Sequence, residues 1–202
     1  MVLLKGFAKI ISGVLSPLLM PIYIYLTIIV STYLALLPLN SLLLVISIVS
    51  IFTVIIPFIT LAWKVANEDD KIELSKKTYP YYISATSYLF TAYMLYKIGL
   101  PLWMASFLVG GAITAIILAL LRKSYNISAH MAGIGAYVGV LYTLTGLKYV
   151  IPLELLTIII IFAGILGSCR VYLKDHSPGE IITGLILGFI WSYSAFYIGI
   201  LI

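Results

Sequence analysis

The chain has 202 residues, 63% hydrophobic and only 9% charged, with a mean hydropathy of +1.17. Soluble domains carry about 25% charged residues, so this chain cannot cover a water-facing surface, and a soluble enzyme, a disordered regulator and a disulfide-rich scaffold are excluded. In so apolar a chain the net charge of +5 points to cytoplasmic loops, anionic head groups or a phosphate-bearing substrate, not to nucleic acid.

Residues 1–16 place Lys5 and Lys9 one helical turn apart among Leu, Phe and Ile, the pattern of an amphipathic helix lying in the membrane interface. No small-residue cleavage site follows, so this segment does not read as a cleavable signal. Seven apolar spans are then predicted, roughly at 17–37, 41–63, 81–99, 101–121, 130–147, 151–169 and 180–202, each near the ~20 residues a bilayer requires. They predict an all-α polytopic membrane bundle forming one domain over 1–202. A transmembrane barrel does not fit, because the apolar runs do not alternate with period two. Pro38-Leu39-Asn40, Gly99-Leu100-Pro101 and Lys148 to Pro152 read as tight turns. The longer polar breaks are Lys64 to Pro80, Arg122 to Ala129 and Arg170 to Gly179. The one cysteine, Cys169, allows no intrachain disulfide.

With seven spans, the N-terminus and the polar breaks share one face, which carries 10 of the 12 Lys and Arg residues; only Lys97 and Lys148 lie opposite. The positive-inside rule puts the cation-rich face in the cytoplasm. His130, His176 and every acid except Glu154 fall on that face. The span interiors are nearly free of charge, which argues against an ion-coupled transporter.

The third polar break reads Arg170-Val-Tyr-Leu-Lys-Asp-His176-Ser-Pro-Gly-Glu180, and the second ends Asn126-Ile-Ser128-Ala-His130. Arginine binds phosphate oxygens in bidentate fashion. One imidazole can attack phosphorus, a second can protonate the leaving oxygen, and a carboxylate can fix the attacking tautomer. Ser128 reads as an N-cap, and Ser177-Pro178-Gly179-Glu180 as a capping box with proline at the first helical position. Helix N-termini favour anions. Each residue also has a plain structural reading: His176 and His130 as interfacial histidines, Glu180 as a cap, Arg170 as a snorkelling anchor, Ser128 as a cap alone. The spacing sets the phosphate reading above these.

These segments resemble the type 2 phosphatidic acid phosphatase superfamily, whose pattern is Lys-x6-Arg-Pro, then Pro-Ser-Gly-His, then Ser-Arg-x5-His-x3-Asp. The third motif corresponds to Cys169-Arg170, His176 and Glu180, and the second to Ile127-Ser128-Ala129-His130. Cys169, Ile127, Ala129 and Glu180 replace the family's Ser, Pro, Gly and Asp. The first motif fits least: Pro80 follows Thr78 and Tyr79, and Lys71 and Lys77 are six residues apart instead of seven. The resemblance covers roughly 64–190. It implies a lipid phosphate or diphosphate phosphatase, polyprenyl or phosphatidate-like in substrate, with neither metal nor cofactor. By it, His176 is the nucleophile, Glu180 its orienting carboxylate and His130 the general acid and then base. Arg170, Ser128, Lys77 and Lys71 then hold phosphate oxygens. The rival expectations are a phosphotransferase using the same residues and a degenerate, non-catalytic lipid-binding or transport protein. The expected partners are the bilayer and its lipid phosphate; the sequence is silent on oligomeric state.

Overall fold

The computed structural model describes residues 2–67, 78–122, 124–146 and 153–202. Regular structure among them is entirely helical. In chain order the helices are α1 (Val2–Val14), α2 (Met20–Ser31), α3 (Leu39–Ser50), α4 (Ile56–Asn67), α5 (Tyr79–Lys97), α6 (Leu102–Leu121), α7 (Ala129–Gly146), α8 (Leu153–Tyr172) and α9 (Pro178–Leu201).

Among the described residues four helices are long and apolar enough to cross a membrane, by length and composition: Leu39–Trp63, which joins α3 to α4, and α6, α8 and α9. The expected span at 17–37 is instead α2, of 12 residues, about 18 Å long at 1.5 Å per residue. It stops at Ser31 because the Thr32 hydroxyl accepts from the Leu34 amide at 3.3 Å and starts a 3-10 turn over Tyr33–Leu36. A short polar side chain here offers the backbone an alternative to helix. Helices α5 and α7, with 19 and 18 residues, are long enough but less apolar; tyrosine, glycine and threonine dilute them. Between α3 and α4 the helix widens into a π segment, Ile51–Ile55. Pro57 follows one residue later; it has no amide to give the carbonyl one turn back, and its ring crowds that carbonyl.

The expected turn at Gly99-Leu100-Pro101 is present, with Gly99 at φ +81°, a left-handed conformation open to glycine at little cost. The Lys148 to Pro152 turn lies outside the described residues.

The bundle centres on α9, which packs against α7 and α6. The α7–α9 seam is closed by small residues from both sides. A Cβ on Gly184 would sit 2.5 Å from the Ser128 carbonyl, and one on Gly139 2.8 Å from the Phe189 carbonyl. Gly135 meets the Leu185 carbonyl and Gly188 the Ala132 carbonyl more closely still. Backbone thus lies on backbone for about three turns, as small-residue helix interfaces allow. Around this seam a core of Met104, Leu108, Ile134, Leu141, Leu144, Leu166 and Phe196 is almost wholly buried.

Candidate functional site

At one end of the seam the chain leaves α8, turns, and starts α9. The turn is a Schellman motif: the Asp175 amide donates to the Arg170 carbonyl at 3.2 Å and the Lys174 amide to the Val171 carbonyl at 2.9 Å. Lys174 takes the left-handed position, φ 58°, where a side chain costs about 1–2 kcal/mol. The motif also brings the Asp175 carboxylate back over the Arg170 guanidinium, Oδ2 to Nη1 at 2.9 Å. Arg170 Nε stays buried without a partner.

The next residue, His176, is directed onto the α6–α7 connection. Its Nδ1 lies 2.9 Å from the Asn126 carbonyl. A carbonyl only accepts, so in the neutral ring Nδ1 carries the proton and Nε2 keeps its lone pair. Glu180 Oε2 lies 3.4 Å from the same Nδ1 and accepts from the Ser177 amide at 2.8 Å. The Ser177 hydroxyl accepts from the Glu180 amide, so the expected capping box is complete. Glu180 is therefore both cap and neighbour of His176, but the closer orienting group is the Asn126 backbone. Burial and the Arg170 guanidinium push the His176 imidazole below its ordinary range; the Asn126 carbonyl and the Glu180 carboxylate oppose that shift. The balance favours the neutral ring at neutral pH.

The α6–α7 connection is pinned to α9 by the Ser128 amide, which donates to the Glu180 carbonyl at 3.2 Å. Ser128 stands just before α7 and its carbonyl accepts from the Ala132 amide at 3.0 Å. Its hydroxyl makes no capping bond: Ser128 is fully buried and Oγ has no partner. This departs from the side-chain cap expected of it.

His130, in the first turn of α7, is close enough to Arg170 and His176 to feel their charges, and close enough to the Ser12 backbone of α1 to interact with it. It also lines an apolar cavity of about 300 Å³ between α2, α5, α6 and α7, with Pro80, Tyr81, Tyr88, Phe107 and Leu118 among its walls. Tyr81 carries a second link to the site: its ring lies 5.8 Å below the Arg122 guanidinium and it is near enough to Arg170 to interact electrostatically.

Of the expected residues, Arg170, His176, Glu180, Ser128 and His130 gather at this end. Lys71 and Lys77 lie outside the described residues. Sequence reasoning missed Asn126, Tyr81 and Ser12. Asn126 and Ser12 act through backbone groups, which no residue type advertises; Tyr81 follows Pro80 directly, and that proximity was the available signal. Among the described residues no three His, Cys, Asp or Glu side chains converge as a metal site requires. Buried polar side-chain atoms without partners are uncommon, and each costs about 1–3 kcal/mol. Ser12 Oγ, Asn126 Oδ1, Ser128 Oγ and Arg170 Nε are all of this kind. A cluster with unused donors, a guanidinium and an imidazole lone pair is suited to bind an oxyanion and attack it. Comparison with protein-family models, with curated proteins and with solved structures found no match.

Proposed function

We propose that the chain is an integral membrane phosphatase acting on a lipid phosphate or diphosphate through a phosphohistidine, as its resemblance to the type 2 phosphatidic acid phosphatases implies. The observation that carries this reading is the His176 ring, held at Nδ1 by Asn126 and Glu180 beside the Arg170 guanidinium. In the first step Nε2 of His176 attacks phosphorus and the P–O bond to the leaving group breaks. His130 gives its proton to the departing alcohol or phosphate oxygen. In the second step His130 takes a proton from water, whose oxygen attacks the phosphohistidine and releases inorganic phosphate. Arg170 and the lysines Lys71 and Lys77 neutralise the phosphoryl oxygens in both transition states, and the Ser128 hydroxyl donates to one of them. The apolar cavity that His130 helps to line supports a substrate with a hydrocarbon chain.

In this reading α5, α7 and the region of α2 complete a seven-span bundle, and the site faces the cytoplasm. A reporter fused to the C-terminus then appears outside; a cytoplasmic reporter overturns that topology. The activity is tested by phosphate release from a panel of lipid phosphates, with purified protein in detergent and EDTA present. Release that persists in EDTA and disappears in His176→Ala is expected. If folded wild-type protein releases nothing from any lipid, the catalytic reading fails. The second reading, a lipid-binding protein without turnover, is favoured by one observation: Asp175 already occupies Arg170.

A further inference from the structure

The apolar cavity has a head and a floor. Helix α6 lines it from Leu118 to Phe107, about 16 Å at 1.5 Å per residue. At the head Pro17, Pro80, Tyr81 and His130 are half-buried. At the floor Ile24, Phe107 and Leu108 are buried, and the Phe107 ring meets that of Tyr25 at 5.4 Å. The head adjoins the polar cluster. Leu118 packs with Ile127, Tyr81 and Ala129, and the stretch 126–130 serves both places. Its Asn126 carbonyl takes His176 Nδ1 at 2.9 Å, its Ser128 amide donates to the Glu180 carbonyl at 3.2 Å, and its Ala129 and His130 line the cavity. Farther in, the Thr114 hydroxyl is turned onto the Gly110 carbonyl at 2.9 Å and that of Ser84 onto the Pro80 carbonyl at 3.0 Å, which leaves those walls apolar. Gly111 lies about 10 Å along α6 from Leu118. A Cβ there would touch the Tyr88 ring at 3.2 Å.

We propose that this cavity takes up one hydrocarbon chain of the substrate, to a depth of about twelve carbons, and that Gly111 and Tyr88 set the depth. The volume gives the count: a cavity of about 150 Å³ takes up benzene, six carbons, and this one has about 300 Å³. A pair of long acyl chains does not fit. The substrate class is then a phosphate ester of a single chain, straight or prenyl, with its phosphate at the cluster and its chain directed toward Phe107. This rests on the reading of the His130–His176 cluster as a phosphate site. It adds that the chain enters the protein instead of staying in the bilayer, so chain length is read by side chains.

The test uses full-length protein in detergent. The probes are alkyl phosphonates, whose P–C bond resists hydrolysis, at equal mole fraction in the micelle, and the readout is thermal stabilisation. Binding should rise from octyl to dodecyl phosphonate and gain nothing from dodecyl to hexadecyl. Gly111→Leu leaves room for about eight carbons, so it should weaken dodecyl phosphonate about tenfold and spare octyl. If that variant fails to fold, Tyr88→Ala carries the test in the opposite sense: the wall opens and hexadecyl should outbind dodecyl. Leu120→Ala, an exposed site on α6, should do neither. The phosphonate analogue of dilauroyl phosphatidate should bind no tighter than dodecyl phosphonate; tighter binding overturns the single-chain class. Farnesyl phosphonate, with a main chain of the same length and methyl branches, upholds the pocket as a prenyl site if it binds tighter than dodecyl and as a straight-chain site if weaker. Phosphonates that stabilise alike at every length, with the variants unchanged, overturn the pocket alone. Dodecanol that stabilises wild type but not Gly111→Leu, with dodecyl phosphonate no better than dodecanol, upholds the pocket and overturns the phosphate site. Stabilisation by no probe overturns both.

Discussion

The α7–α9 seam and the polar turn at its end are built from the same two helices on opposite rules. In the seam, Gly135, Gly139, Gly184 and Gly188 bring backbone onto backbone with no room for a methyl group. At the turn, Arg170, Ser128 and Asn126 bury polar atoms that nothing among the described residues satisfies. One region is saturated with contacts, the other is short of them. Saturation makes the seam a rigid mount, because close-packed interfaces yield little. The deficit at the turn leaves binding capacity for something absent from the fold. The difference gives the seam to stability and, on the proposed reading, the turn to chemistry, and substitutions can separate the two.

The largest effect is expected in the seam. Gly188→Val must push a side chain into the Ala132 carbonyl and should cost about 3 kcal/mol, seen as a lower unfolding temperature and aggregation on size exclusion. Gly164→Ala, which meets nothing within 4 Å, is its control and should be neutral or slightly stabilising. If the two behave alike, the seam is not the mount described. At the turn, Glu180→Gln keeps much of the cap but removes the charge beside His176 and should lower turnover about 10- to 100-fold. The pH dependence follows from burial and Arg170, which hold His176 below its ordinary value of 6.5. The unfolded chain therefore takes up a proton first, so stability falls as pH drops below that value. The acid limb of the rate profile should lie below it too. Because Glu180 favours the protonated ring, Glu180→Gln should move that limb to still lower pH; a shift upward would reject the assignment.

Smaller effects sharpen the contrast. Asp175→Asn releases the Arg170 guanidinium and should tighten inhibition by inorganic phosphate several-fold. It should change stability by under about 1 kcal/mol, since Asp175 is 42% exposed. Lys174→Gly relieves the left-handed residue and should stabilise by about 0.5–1 kcal/mol without touching activity. A loss of activity would show that the turn's conformation itself, beyond the residues it presents, matters to the site.

Periodicity and capping chemistry made much of the fold legible. The boundaries of α6 and α9, the glycine turn before Pro101 and the capping box at Ser177 follow from residue type alone. The break at Thr32 was not legible, because a single threonine within an apolar run looks like a tolerated helix residue. The π segment before Pro57 was equally hidden: a proline inside a long apolar helix announces a disturbance but not its form. At the site, Arg170, His176, Glu180, Ser128 and His130 were readable because their spacing is linear. Asn126 and Ser12 were not, because the groups that matter are backbone groups brought in from another part of the chain.

The lone cysteine has a practical consequence. Cys169 precedes Arg170 and is buried, at 7% exposure. Because the chain has no other thiol, the rate at which wild-type protein reacts with a maleimide reports the opening of the last turn of α8 alone. Labelling that slows when inorganic phosphate is added would time the local breathing of the site without altering a residue.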